Sequence, residues 1–252
     1  MSEDIPADKT TLLEKGMALL ALVIRDGGRG PLRQLAGELN IPLSTAYRLI
    51  GEHTRAGWLC SVGRGRYVPG QELLDLASRI DSRSVLANIA RPHLRGLARR
   101  LHQTVHLGFL ENDMVTYILK ERGGGIPVFT QAGMQLEAYC SAIGKMLLAS
   151  LPDDQREQYI AAGPFVALTP RTIIDPAELR KALNAIWQAD YAVDNEEVSE
   201  GLRCIAIPLR DRRDKIVAAI SMSRTIGPGD VIEDIAVLNL LRGCADQIRA
   251  RL

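Results

Sequence analysis

Cysteine is scarce and unpatterned in this chain. Four occur in 252 residues (Cys60, Cys140, Cys204 and Cys244), and no two are spaced as CxxC. That argues against a zinc finger or a disulfide framework and suits a reducing compartment. No apolar run reaches the roughly 18 residues that a membrane helix needs, so no membrane partner is expected. Met1 to Thr10 is polar and acidic, without the apolar stretch of a secretory leader, and a cytoplasmic location is the expectation. Net charge is only +1, so any nucleic-acid footprint must be local. Repeats and low-complexity tracts are missing too.

Catalytic signatures are equally short in supply. Gly144-Lys145 invites a phosphate-loop reading, but Tyr139 stands where that motif needs a glycine. Gly63, Gly65 and Gly70 have the wrong spacing for a dinucleotide fingerprint, and no GxSxG elbow occurs. His102 and His106 are four apart, yet no third ligand lies near them, and His106 falls in a strand pattern. Packing or surface roles are favoured over a metal pair. Nucleophile, base and oxyanion donor are nowhere assembled, so neither catalytic residues nor a cofactor nor a metal is expected.

What is present is patterned hydrophobicity on a chain long enough for two domains, with 46% apolar and 24% charged residues. Leu12, Leu13, Leu19, Leu20, Val23 and Ile24 make a helical stripe that Gly27-Gly28 ends. Pro31 opens a second helix with Leu32, Leu35, Ala36 and Leu39 on one face. After the turn Asn40-Ile41-Pro42, a third helix spans about Leu43 to Ala56, with Ala46, Leu49, Ile50 and His53 inward. Its outer side holds Ser44, Arg48 and Arg55, flanked by Tyr47 and Gly51. A helix of this kind fits the DNA major groove, where arginine bonds bidentately to guanine. Gly57-Trp58-Leu59 and Arg64-Gly65-Arg66-Tyr67-Val68 then read as a β-hairpin with two arginines at its tip. From Arg25 to Gly70 seven arginines face three acids, a local balance of +4 that suits phosphate contacts. The blander alternative is a three-helix bundle with a solvated charged face.

Gln71 to Arg83 reads as a bridging helix that could help pair subunits, and Val85 to Leu101 as a long helix bent at Pro92. Strands are expected at Thr104–Leu110, Met114–Leu119, Tyr191–Asp194, Leu202–Leu209 and Ile216–Ser223. Helices are expected at Ala138–Ser150, after Pro152, and from a capping box at Asp175-Pro176-Ala177-Glu178 to Ala189. A last amphipathic helix carries Ile232, Ile235, Leu238, Leu241, Ala245 and Ile248. This mixture indicates an α+β domain with a mixed or antiparallel sheet flanked by helices. Strand parity puts Leu202 with Cys204 on one side, and Ser221 with Ser223 on one side of the next strand. Two hydroxyls beside a thiol would make a polar spot in an apolar sheet. The helix beginning at Ser141-Ala142-Ile143-Gly144 could offer free N–H groups to a carboxylate. The plain alternative is solvated serines and a core cysteine.

These segments resemble the IclR family of bacterial transcriptional regulators over nearly the whole chain. The likeness lies in Pro31–Ala36, Leu43-Ser44-Thr45-Ala46-Tyr47-Arg48-Leu49-Ile50, Thr104–Leu107, Ser141–Lys145, Leu168–Ile173, Tyr191–Glu197 and Gly201–Ala206. The resemblance implies a winged helix-turn-helix domain (1–70), a linker helix (71–83) and a GAF-like effector-binding domain (84–252). It also implies a dimer or tetramer that binds double-stranded, near-palindromic operator DNA as repressor or activator, and an effector that is a small organic acid, carboxylate or aromatic. The DNA-binding candidates are Arg33, Ser44, Thr45, Tyr47, Arg48, Arg55, Arg64 and Arg66. Carried over by motif, the effector-binding candidates are Ala142, Ile143, Asp194, Leu202, Cys204, Ser221 and Ser223, with Met134 and Gly123-Gly124-Gly125 as a lid. A ligand-independent DNA-binding protein and an enzyme with an accessory helical domain are the rival readings.

Overall fold

The chain divides into two units between Asp81 and Ser82. The structure, a computed structural model, describes residues 10–227 and 234–252; the first nine residues and Ile232 of the expected last helix lie outside them.

The first unit begins with α1 (Leu12–Asp26), opened by a reciprocal capping box between Thr11 and Glu14 and closed by Gly27 at φ 65°. Helix α2 (Leu32–Glu38) starts behind Pro31, and Asn40 turns the chain at φ 51° into α3 (Leu43–Arg55). Leu19, Val23, Leu32, Ala46 and Ile50 from the three helices fill one core, joined by Leu59. His53 completes the inner face of α3: its Nε2 lies 3.1 Å from the Gly16 carbonyl and its ring stacks on Trp58. Strands β1 (Leu59–Gly63) and β2 (Arg66–Pro69) form the expected antiparallel hairpin. Arg64 and Gly65 both take positive φ, the signature of a two-residue hairpin turn. The wing tip is tied back by the Leu32 N–H, which donates to the Gly65 carbonyl at 2.7 Å. Helix α4 (Gln71–Ser78) is shorter than the bridging helix expected to Arg83. It closes in a turn where Arg79 and Ile80 donate to Leu76 and Ala77, and residues 82 and 83 belong to the next helix.

The second unit is built on one six-stranded sheet. Helix α5 (Ser82–Leu101) runs unbroken in assignment through Pro92 and leads into β3 (Thr104–Glu111) and β4 (Met114–Arg122). Asn112 and Asp113, both at positive φ, turn that hairpin. A short strand missing from the sequence expectation, β5 (Gln135–Glu137), follows. Helix α6 (Ala142–Ala149) starts four residues later than the expected Ala138, because Ser141 caps it by accepting the Gly144 N–H. Gly144 is required there: a Cβ would sit 2.2 Å from the Ala138 carbonyl. Then come α7 (Asp153–Ala161) and α8 (Pro176–Ala189). Asp175 caps α8 through Ala177 N–H with Pro176 at the first position, rather than through the full reciprocal box. Strands β6 (Ala192–Asn195), β7 (Leu202–Arg210) and β8 (Ile216–Thr225) precede α9 (Asp234–Arg249).

Strand order is β5-β4-β3-β8-β7-β6, with every pairing antiparallel. Alternation then assigns the two faces. Val105, Leu107, Ile205, Ile207, Ile220 and Met222 meet α5 and α9 in a dry aliphatic core. On the other face Tyr117, Ala206, Ala219 and Cys204 meet α6. That second face carries the polar groups that matter below.

Candidate functional site: an exposed reading helix and a buried polar cavity

In the first unit, burial of Ala46, Leu49 and Ile50 turns the opposite side of α3 to solvent. Ser44, Tyr47, Arg48 and Arg55 are exposed there, and Thr45 is half-buried. Arg33 on α2 and Arg64 and Arg66 on the wing are exposed as well. Among the described residues, none of these five arginines forms an ion pair. The unit therefore presents uncompensated guanidinium groups on helix and wing, held by backbone that is itself well tied.

In the second unit the sheet register lines up one polar row. Asp194 lies opposite Cys204, Cys204 opposite Ser223, and Ser223 opposite Thr104. One rung along, Ser221 lies opposite His106 and His106 opposite Lys120. Directly opposite residues share a face, so the parity reading of Cys204, Ser221 and Ser223 agrees with the register. All three are buried, as is Asp194.

A cavity lies over this row. Ala142, Ile143, Asp194, Leu202, Cys204, Ser221 and Ser223 all line it. Met134 does not; it is partly buried against the neighbouring core. Gly123 to Gly125 are not in the lining either: Gly123 is pressed against Ala98, where a Cβ would fall 1.6 Å from the carbonyl oxygen. The covering residues are instead Val128, Phe129 and Thr130. Sequence reading missed these three, along with Tyr117, whereas Ser141, named there as the start of the helix, is in the lining. Tyr117 shares its face with Val115, but a register shift between it and Leu119 puts Leu119 in the other core, so plain alternation along β4 could not place it; Val128–Thr130 sits in a stretch without periodicity.

Charge in and around the cavity is sparse. Burial pushes the Asp194 carboxyl up to about 6, against the pull of the Glu197 N–H, which donates to it at 2.7 Å. The Cys204 thiol is held well above its usual value by burial and by the Asp194 charge beside it. Burial drives His106 down to about 3, so its ring is neutral; Nε2 is 2.7 Å from Thr130 Oγ1 and Nδ1 is 3.5 Å from Ser223 Oγ. His106 is fully buried, whereas His102 is exposed at φ 51° beyond α5, so the two histidines share no face. No cluster of three metal-ligating side chains exists among the described residues.

Behind the cavity, Lys145 of α6 donates to the Val193 carbonyl at 2.7 Å and to the Glu197 carboxylate. This buried pair ties α6 to the 194–198 turn, with Thr169 and Thr172 hydroxyls closing the turn from outside. Lys145 and Glu197 offset each other, and no lysine or arginine lines the cavity. The N–H groups at the start of α6 are its source of positive potential. Free space is about 10 Å³, scarcely one water molecule.

Comparison with known proteins agrees over both units. The family model described as IclR helix-turn-helix domain matches residues 12–61, and the one described as bacterial transcriptional regulator IclR C-terminal matches residues 79–250. The HTH-type transcriptional regulator KdgR of Escherichia coli strain K12 is 31% identical over 194 residues, 76% of this chain and 74% of that protein. The Pca regulon regulatory protein of Pseudomonas putida is 28% identical over 222 residues, 87% of this chain and 76% of that protein. The crystal structure of the Thermotoga maritima IclR superposes with a TM-score of 0.61 at 29% identity, covering 95% of this chain and 98% of that one. Both curated relatives are named as regulators, not as enzymes.

Proposed function

This chain belongs to the IclR family of bacterial transcriptional regulators, and from that premise we propose that it binds a near-palindromic operator as a dimer or tetramer and answers to a small organic acid. The reading face is Ser44, Thr45, Tyr47, Arg48 and Arg55 on α3, with Arg33, Arg64 and Arg66 contacting phosphates. The observation that carries this is the row of exposed, unpaired arginines on helix and wing. Arg48, exposed on the outer side of α3, is the residue assigned to a base contact, and a bidentate arginine–guanine pair is worth about 1–3 kcal/mol.

The effector site is the cavity over the polar row. An acid group meets the Ala142 and Ile143 N–H groups at the start of α6, and a hydroxyl or similar donor meets Asp194, with Cys204, Ser221 and Ser223 beside it and Leu202 supplying apolar wall. Because the lining holds a carboxylate and no cationic side chain, a second negative charge on the ligand has no partner. The fitting class is a monoacid with a hydrogen-bond donor at its other end. Binding alters DNA affinity only to the extent that the ligand favours one of two states of the oligomer.

The test is a thermal-shift screen of hydroxylated monocarboxylates against matched dicarboxylates, followed by the Cys204→Ala/Ser221→Ala protein. A monoacid hit whose shift disappears in the double variant supports the site. A hit whose full shift survives places the effector elsewhere.

A further inference from the structure

We infer that Lys120 is a positioning residue of the cavity: it clamps the β4–β5 connection, residues 123–134, shut across it. The inference rests on the reading of this cavity as the effector site only for its purpose, not for its geometry.

The connection leaves β4 after Arg122 and re-enters the sheet at Gln135. It is bounded by glycines at positive φ, Gly124 (135°) and Gly125 (69°) on one side and Gly133 (84°) on the other. Among the described residues, backbone–backbone hydrogen bonds tie it only near its ends. Gly123 donates to Gln103, Gly133 to Tyr117 at 2.7 Å, and Met134 to Gln131. Its middle, Val128 to Thr130, covers the cavity and is held by side chains from the sheet. Lys120 Nζ donates to the Val128 carbonyl at 2.7 Å and also to the Thr130 carbonyl. His106 Nε2 bonds Thr130 Oγ1 at 2.7 Å. Lys120 and His106 lie opposite each other on β4 and β3, so one rung of the sheet supplies both anchors.

Size makes the clamp consequential. A benzene-sized guest occupies a cavity of roughly 150 Å³, far more than the about 10 Å³ available. The sheet and α6 are buried and hydrogen-bonded along their length, whereas the Val128–Thr130 strap is held by the packing of one apolar side chain, Val128, and by the side-chain bonds above, and Phe129 within it is 50% exposed. The strap is the wall that yields. Bonds from an ammonium are charge-assisted and stronger than neutral ones, so Lys120 sets most of the resistance to opening. A methionine there keeps the apolar stem and loses the clamp.

Cys204 reports the opening directly, since its thiol lines the cavity and is buried. Cys244, a buried residue of α9 in the other core, reports general loosening. The ligand-free full chain is pulsed with methyl methanethiosulfonate, a small uncharged thiol reagent, and modification is read for each cysteine by peptide mass spectrometry. In Lys120→Met the Cys204 rate is expected to rise more than fivefold while Cys244 stays within twofold. Loss of a positive charge favours thiol over thiolate and opposes faster labelling, so a rise means access. A Cys204 rise below fivefold, or an equal rise at both cysteines, overturns the inference. If Lys120→Met does not fold, Lys120→Gln, which keeps a polar end but loses the ammonium that donates to both carbonyls, carries the same test with a twofold threshold. No ligand enters the experiment, so its failure leaves the effector reading standing, and a failed ligand screen leaves the clamp standing.

Discussion

At the scale of single residues, Asp194 and Gly144 carry the plainest consequences. Burial raises the Asp194 carboxyl to about 6 in the folded state, above its ordinary value of 3.8. The native state therefore holds this proton more tightly than the unfolded chain. The cost of ionising Asp194 in its site is absent below the lower value and fully present above the higher one, at most about 3 kcal/mol. Urea unfolding at about pH 4.5 and about pH 7.5 should show the Asp194→Asn protein gaining on wild type as pH rises; parallel behaviour would remove the burial account. Gly144→Ala puts a methyl group against the Ala138 carbonyl and Ser141 Oγ. It should destabilise by about 1–3 kcal/mol, read as a lower midpoint in the same titration. While Asp194 came only from the family resemblance, Leu202, Cys204, Ser221 and Ser223 were legible because parity on a strand is local information. Thr130 and Lys120 were not, because the clamp joins residues ten apart through an aperiodic loop. Met134 was misjudged for the same reason: nothing local distinguishes it from Phe129.

At the scale of elements, α6 supplies one wall of the cavity and is tied to the 194–198 turn by the buried Lys145–Glu197 pair. Removing one partner of a buried pair leaves the other uncompensated and costs about 3–5 kcal/mol. Lys145→Met should lose stability in that range, and Lys145→Met/Glu197→Leu should recover much of it. A double variant no more stable than the single one would mean that Lys145 matters for packing alone. On the DNA side, the proposed reading assigns the wing arginines to phosphate contact. Arg64→Ala/Arg66→Ala should lower the slope of log affinity against log salt by about 2, with little change in sequence preference. The helices of the first unit were readable from periodicity and from Gly27, Pro31 and Asn40 punctuation, and five strands of the second from their patterns, but not their order in the sheet. The start of α6 was not, since Ala138-Tyr139-Cys140 continues the apolar pattern as a turn. The end of α4 at Ser78 was hidden likewise, because Leu73, Leu74, Leu76 and Ile80 keep an apolar pattern through a region where the helix has already closed.

At the scale of the whole molecule, an exposed cationic face in one unit and, in the other, a closed cavity with one carboxylate in its lining are what the proposed ligand-answering regulator needs. Membership in a family of transcriptional regulators fits this division, and no helix among the described residues is long and apolar enough to cross a membrane. The two-domain plan was legible from a change of pattern near residue 80. The closed state of the cavity was not, because free volume depends on every wall at once. The claim on which the account depends is that α3 reads DNA. Duplexes selected by the protein from a random pool, titrated by fluorescence anisotropy with wild type and Arg48→Ala at fixed salt, test it most directly. The account predicts a loss of about 5- to 150-fold on the selected sequence, with affinity for unselected duplex almost unchanged. Full affinity and unchanged preference in Arg48→Ala would contradict it.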